Sequence, residues 1–354
     1  MDFTSLAGPV DVCPDPEASK ILQTTEAVAQ AQPNIALIKY WGKRDPALNL
    51  PATNSLSVTL ESLWTRTRVR FDRRLAHDEL RLNGAQQPDQ LARVSACLDL
   101  VRARAGVAHR ARVETYNNFP TSAGLASSAS GFAALALAAS AALNLDLEPR
   151  ELSVLARRGS GSAARSIFGG FVDMAAGERD DGADAYASPL LSAAEWPLAV
   201  VVAITSKQVK STGSTDGMEL SRLTSPFFAD WVATAATDHA AARDAVLSRD
   251  FDALAALSEH SCLKMHAVML TSRPGLLYWT GATVECLHCI RALRERDGLG
   301  VFFTVDAGPQ VKAVCRPGDV EAVVAALRET PGVETVTTTA LGEGARLLDE
   351  FEPT

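Results

Sequence analysis

Residues 117–137, NNFPTSAGLASSASGFAALAL, constrain the chain more than any other stretch, because they run glycine and serine directly into an alanine-rich helix. Gly124, Ala126, Ser127, Ser128, Ala129 and Gly131 are small enough for a phosphate to approach the backbone. Residues 133–143 read as the buried helix that follows. Free amides at such a helix start, backed by the helix dipole, bind anions. A small-residue loop ahead of a tightly packed core helix would have the same composition.

The 354 residues, 47% hydrophobic, can bury a large core, and the length suggests two domains. The expected division is a loose N-terminal extension over 1–30, an N-terminal domain over 31–205 and a C-terminal domain over 206–354. No apolar run reaches the roughly 18 to 20 residues of a membrane span. The first 30 residues, with Asp2, Asp11, Asp15 and Glu17, lack the basic start and apolar core of a signal peptide, so a cytoplasmic protein is expected. A net charge of −8, from 34 basic and 42 acidic residues, disfavours nucleic acid as a partner. Any anionic ligand must therefore meet a local basic pocket. Cys13, Cys97, Cys262, Cys286, Cys289 and Cys315 are dispersed and read as reduced thiols. Cys286-Leu287-His288-Cys289 lacks the second ligand pair of a structural zinc site and reads as helical core.

Order is expected to begin near Pro33. Residues 34–41 (NIALIKYW) read as a strand whose end gathers Lys39, Tyr40, Trp41 and Lys43, a set that serves equally as a solvated strand end. Residues 65–71 alternate, with Arg66, Arg68 and Arg70 on one solvent-facing side, and Asn83-Gly84 marks a hairpin turn. Helical spacing covers 88–105, the segment after Pro149, 231–245, 251–270 and 283–297. The run 198–205 (LAVVVAIT) reads as a fully buried strand, and 206–218, with Lys207, Lys210, Ser214 and Thr215, as a polar loop after it. Asp319 is a predicted N-cap for a helix over 320–327, and the acidic tail from Asp349 is expected to fray.

A second small-residue segment, 159–166 (GSGSAARS), ends in Arg165, among neighbours too small to shield it. Arginine grips a carboxylate or phosphate through a planar fork, and two glycine-serine loops would let one chain hold two anionic groups. Asp306 ends the apolar strand 301–305 and enters the turn Ala307-Gly308-Pro309. A carboxylate there is held rigidly for function, or caps its own turn.

Four segments together resemble the mevalonate diphosphate decarboxylases of the GHMP kinase superfamily. They are 34–43 (NIALIKYWGK), 119–130 (FPTSAGLASSAS), 160–171 (SGSAARSIFGGF) and 304–311 (TVDAGPQV), with 211–218 (STGSTDGM) a weaker fifth. The resemblance implies a two-domain α+β GHMP kinase-like fold with the active site in the cleft between domains, ATP and Mg2+ as cofactors, and a homodimer. The implied reaction phosphorylates the tertiary 3-hydroxyl of 5-diphosphomevalonate, then releases carbon dioxide and phosphate to leave isopentenyl diphosphate. Asp306, Lys39 and Arg165 would be catalytic: the first orients or accepts the hydroxyl proton, the second holds nearby negative charge, and the third grips the carboxylate. Gly124, Leu125, Ala126, Ser127, Ser128, Ala129 and Ser130 would cradle ATP, with Ser128 the magnesium contact. Tyr40, Trp41, Gly42, Lys43, Ser160, Gly161, Ser162, Ala163, Ala164, Ser214 and Thr215 would join Arg165 around the substrate. Ala164 stands where relatives often carry cysteine, and Ser122 where alanine is usual. Glu79 falls about where some relatives carry a phosphate-binding basic residue, which leaves open a 5-phosphomevalonate decarboxylase giving isopentenyl phosphate. A mevalonate-type kinase that stops at phosphorylation and a non-catalytic nucleotide-binding protein are further alternatives; the intact Asp, Lys and Arg set argues against both.

Overall fold

The computed structural model describes residues 24–119, 127–208 and 211–352. A six-stranded sheet runs in the order Arg346–Leu348, Thr24–Ala31, Thr65–Asp72, Arg110–Asn117, Glu79–Leu82, Ala85–Gln86. Helices α1 (Pro88–Ala105), α2 (Ser127–Ala142) and α3 (Pro149–Gly159) pack with it, burying Val69, Phe71 and Val113 against Leu98, Ala133 and Leu155. Alanine dominates α2, and its short side chains let that helix lie close on the sheet. The hairpin turn is as the sequence predicts: Asn83 and Gly84 both have positive φ, 49° and 81°.

The next sheet orders Ala187–Leu191, Phe171–Met174, Ser55–Thr59 and Asn34–Ile38, and a third orders Val301–Val305, Val311–Cys315, Ala199–Ile204 and Thr335–Ala340. The polar segment 211–218 opens α4 (Ser214–Thr224). Helices α5 (Phe228–Ser248) and α6 (Phe251–Leu270) contribute to one core with both sheets, where Leu37, Leu56 and Val58 join Val200, Val202, Phe302, Val314, Val246 and Leu254. The other face of the third sheet, through Val201, Ala203, Val301 and Phe303, packs on α7 (Gly281–Glu295) and α8 (Val320–Glu329). Residues 199–204 are uniformly apolar because both faces of their strand are covered.

Four expectations change here. The extension is shorter than 1–30, because Thr24–Ala31 pairs along its whole length with Thr65–Asp72. The division at 205/206 also misplaces Ala199–Ile204, which pairs with Val311–Cys315 and Thr335–Ala340. The chain end returns to the first sheet, where Arg346–Leu348 pairs with Thr24–Ala31, and Phe351 sits under the Arg68 guanidinium at 4.6 Å. Asp319 precedes α8 without capping it: its carboxylate accepts from the Gly300 N–H at 2.9 Å. The five described cysteines are free, and Cys286 is buried as expected of core; Cys13 lies outside the described residues.

The shared core predicts one unfolding transition for both halves. Phe302→Ala should destabilise the protein by about 3–5 kcal/mol, with far-UV circular dichroism and tryptophan fluorescence melting together; two separated transitions would contradict a common core.

Candidate active site

A cavity of about 600 Å³ opens between the halves, within the usual size range of small-molecule sites. Lys39, Lys43, Ser128, Ser160 and Arg165 reach it from the first half and Ser214, Met265 and Asp306 from the second. The site is assembled by three short elements that end at its wall.

Asp306 follows the strand Val301–Val305, and both of its carboxylate oxygens meet lysines. Oδ1 lies 2.6 Å from Lys39 Nζ and Oδ2 lies 3.2 Å from Lys312 Nζ. Lys39 is 1% exposed and Lys312 2%, so the strand end is the reverse of a solvated one. Burial alone would raise the Asp306 carboxyl, but the two ammonium groups outweigh it and hold the acid well below the usual carboxylate range. Burial lowers Lys312, with Asp306 opposing. The Lys39 backbone N–H donates to Ser261 Oγ of α6 at 3.0 Å, which fixes the strand end to the second half.

Arg165 lies in the 3-10 turn Gly161–Ile167 and is buried, shielded despite its small neighbours. Its Nε donates to Asn34 Oδ1 at 3.1 Å and one terminal nitrogen to Ser55 Oγ at 2.7 Å. Burial brings its pKa down to about 10, still a cation at neutral pH. These partners are neutral, so the charge is left to meet an anion in the cavity. Tyr40 packs beside Gly161, where an added Cβ would fall 2.3 Å from the phenol oxygen. That hydroxyl is buried and has no hydrogen-bond partner among the described residues, and burial pushes its pKa up. A buried orphan donor facing a cleft is suited to a ligand oxygen.

At the opening of α2, Ser127 and Ser128 line the cavity, and Ser160 Oγ stands 3.5 Å from both Ser128 Oγ and Ser162 Oγ. Gly124, Leu125, Ala126, Ser122 and Lys210 lie outside the described residues. Ala129 and Ser130 turn away from the cavity: Ala129 is fully buried and Ser130 Oγ bonds Thr65 Oγ1 at 2.6 Å. Gly131 lines the cavity in their place. Ala163 and Ala164 likewise belong to the apolar clusters beneath the turn. Gly42, at φ 108°, packs against Phe228 and serves the chain reversal. Trp41 edges the cavity but is 1% exposed, and its indole donates to Ser221 Oγ at 3.0 Å. Glu79 stands outside the cleft, where its carboxylate accepts from Arg112 Nε at 2.7 Å; Leu80 and Leu82 face the cavity instead. The missing phosphate contact attributed to Glu79 therefore concerns the surface of the sheet.

Two cations escape the sequence. Lys312 interrupts an otherwise apolar strand, and that interruption was the available signal. Arg93, on α1, lines the cavity over the Phe132 ring at 5.0 Å and donates to the Gly159 carbonyl at 3.0 Å. Its place beside Val94 on an amphipathic helix gave no signal. Lys43 also lines the cavity, its pKa lowered by burial first and by Arg93 second.

A two-domain α+β scaffold with a hydroxyl-rich, cationic cleft defines an enzyme that handles phosphorylated small molecules. Family models for the diphosphomevalonate decarboxylase-like N-terminal domain and the mevalonate 5-diphosphate decarboxylase C-terminal domain match residues 31–187 and 200–348. The chain belongs to the diphosphomevalonate decarboxylase family. It is 38% identical to the human diphosphomevalonate decarboxylase over 297 residues, covering 78% of this chain and 73% of that one. The Candida albicans enzyme is 35% identical over 92% of this chain and 98% of its own length. Among solved structures, mevalonate diphosphate decarboxylase from Staphylococcus aureus superposes with a TM-score of 0.87 at 37% identity, covering 92% of this chain and 98% of that one. MDDEF in complex with MVAPP, AMPPCP and magnesium gives 0.85 at 37% identity, over 92% and 100%.

The residues fit such ligands. Ser127 and Ser128 offer hydroxyls at a helix start to phosphate oxygens. Among the described residues no acidic cluster could hold a metal by itself, which suits magnesium bound through phosphates and one hydroxyl. Gly161→Ala should raise KM for the phosphorylated substrate roughly tenfold or more by displacing Tyr40, a difference of about 1.4 kcal/mol or above; unchanged steady-state kinetics would remove Tyr40 from the site.

Proposed function

We propose that the chain catalyses the ATP-dependent decarboxylation of 5-diphosphomevalonate to isopentenyl diphosphate, releasing ADP, phosphate and carbon dioxide, as a step of the mevalonate pathway to isoprenoids. The observation that carries this assignment is a half-buried carboxylate paired with two buried lysines, beside Arg165, in a cleft that also presents Ser127, Ser128, Ser160 and Ser162. A tertiary hydroxyl is a poor leaving group, and phosphorylation makes its departure feasible. ATP supplies the phosphoryl group, and magnesium, when bound, offsets charge on the phosphates.

Asp306 accepts a hydrogen bond from the 3-hydroxyl, orients it and takes its proton as the phosphorus–oxygen bond forms. Lys39, on the cavity side of that carboxylate, stabilises negative charge around the reacting oxygen. Arg165 grips the substrate carboxylate so that the electrons of the breaking carbon–carbon bond flow into the new double bond as phosphate leaves. Lys43, Arg93, Tyr40, Ser160 and Ser162 face the substrate's own diphosphate, with Ser214 and Thr215 closing the far side. Ser128 serves as the magnesium contact. Glu79, ion-paired outside the cleft, gives no reason to prefer a monophosphate.

The family resemblance supports a cytoplasmic homodimer. Among the described residues no helix is long and apolar enough to cross a membrane.

Incubation with ATP and 5-diphosphomevalonate should give ADP, phosphate, carbon dioxide and isopentenyl diphosphate in equal amounts, with 5-phosphomevalonate a poorer substrate. ADP without carbon dioxide would point to a kinase instead. Asp306→Asn should lower kcat by roughly 10²- to 10⁴-fold while nucleotide binding, followed by fluorescence or calorimetry, stays near that of the parent. Arg165→Lys should also be severely impaired, because an ammonium cannot reproduce the fork; near-normal turnover in that variant would contradict its assigned role.

A further inference from the structure

Lys312 is the second residue of Val311–Cys315, a strand buried at every position. Across the antiparallel ladder it faces Thr304, two residues before Asp306, and this register brings its ammonium to Asp306 Oδ2 at 3.2 Å. Lys39 and Asp306 line the cavity, whereas Lys312 does not. The two lysines thus hold opposite oxygens of one carboxylate, one from the ligand side and one from the core. A buried ammonium is costly unless paired, so Lys312 represents a deliberate placement of charge in an apolar strand.

We infer that Lys312 is a positioning residue for phosphoryl transfer: it clamps Asp306 Oδ2, keeps the carboxylate anionic, and turns Oδ1 toward Lys39 and the cleft. Lys312 and Asp306 neutralise each other, so Lys39 is left as a net positive charge facing an anionic substrate. Without Lys312 the half-buried carboxylate would keep Lys39 as its single direct counter-charge. It would then take up a proton more readily and could rotate away from the hydroxyl it must orient.

The groups around Asp306 limit what else could set its charge. Lys39 follows the strand Asn34–Ile38, and Arg165 in the 3-10 turn is within electrostatic reach. Cys262 and His266 come from α6, and both are also sensitive to Lys39 and Lys312. Burial, followed by the charge of Lys39, brings His266 down to about 3, so its ring is neutral at neutral pH. Burial raises the Cys262 thiol, which stays protonated. Neither replaces Lys312 as a fixed cation.

The inference rests on the decarboxylase assignment for its kinetic consequence, while its charge consequence can be read without substrate. Lys312→Met, Lys312→Gln and Lys312→Arg are compared with the parent. With aspartate carboxyls labelled by 13C, the Asp306 resonance is identified by its loss in Asp306→Asn. Its titration midpoint should move upward by roughly one to three pH units in Lys312→Met and Lys312→Gln and return toward the parent in Lys312→Arg. In turnover, the acid limb of kcat should shift to higher pH in step, with KM for ATP changed less than about twofold and kcat lowered roughly 10- to 100-fold. An unmoved midpoint in the folded variants, or a loss of kcat equal at every pH, would overturn the role. If Lys312→Met and Lys312→Gln are both recovered unfolded, Lys312→Arg decides: a parent-like midpoint and acid limb support the inference, and a folded enzyme with a displaced midpoint contradicts it. Failure of the parent to release carbon dioxide would instead sink the decarboxylase assignment and leave the titration result standing.

Discussion

The structure depends on the contact of Asp306 with Lys39 and Lys312. Two buried ammonium groups and a half-buried carboxylate meet at one point, which is stable only when their geometry is good and each partner is present. That geometry draws on a strand of the first half, a hairpin of the second and α6, which ties the two together through Ser261. The continuous core of Leu37, Leu56, Val200, Phe302 and Val246 holds those elements in register. The halves are therefore distinct around their sheets and joined beneath the site, so the cleft sits over a packed floor.

The small residues of the two glycine-serine segments divide their work. Ser127, Ser128, Ser160, Gly161 and Ser162 face the cavity, while Ala163 and Ala164 fill core beneath it and Ala129 is fully buried. Small size serves both purposes at once: it lets a ligand approach one face and lets helix and sheet close on the other. Composition alone cannot separate these faces, because the helical and 3-10 twist decides which residue points where. Gly161 illustrates the coupling, since its missing Cβ makes room for the Tyr40 ring, which in turn presents an unpartnered hydroxyl.

Much of the site was legible in the order of residues along the chain. Lys39, Arg165 and Asp306 each stand at the end of an apolar segment or inside a small-residue turn, which marks them locally, and all three sit close enough to sense one charge environment. Lys312 escaped because its role arises from strand pairing six residues beyond Asp306, and pairing register is not written in either strand alone. Arg93 escaped for a similar reason, being one of several basic residues on α1 with nothing local to single it out. The fold was legible as strands and helices but less so as sheets. Ala199–Ile204 is apolar on both faces and could have joined either half; Thr24–Ala31 mixes polar and alanine residues that hide a strand covered on one side by α2 and flanked by Arg346–Leu348.

The central claim is that this charge cluster prepares the 3-hydroxyl to receive a phosphoryl group and then to leave as phosphate. Labelling that hydroxyl with 18O and following the label by mass spectrometry tests it most directly. The label should appear in the inorganic phosphate released with carbon dioxide, one atom per turnover. Label recovered in water would mean that the hydroxyl departs without being phosphorylated, and would contradict the role given to Asp306 and its two lysines.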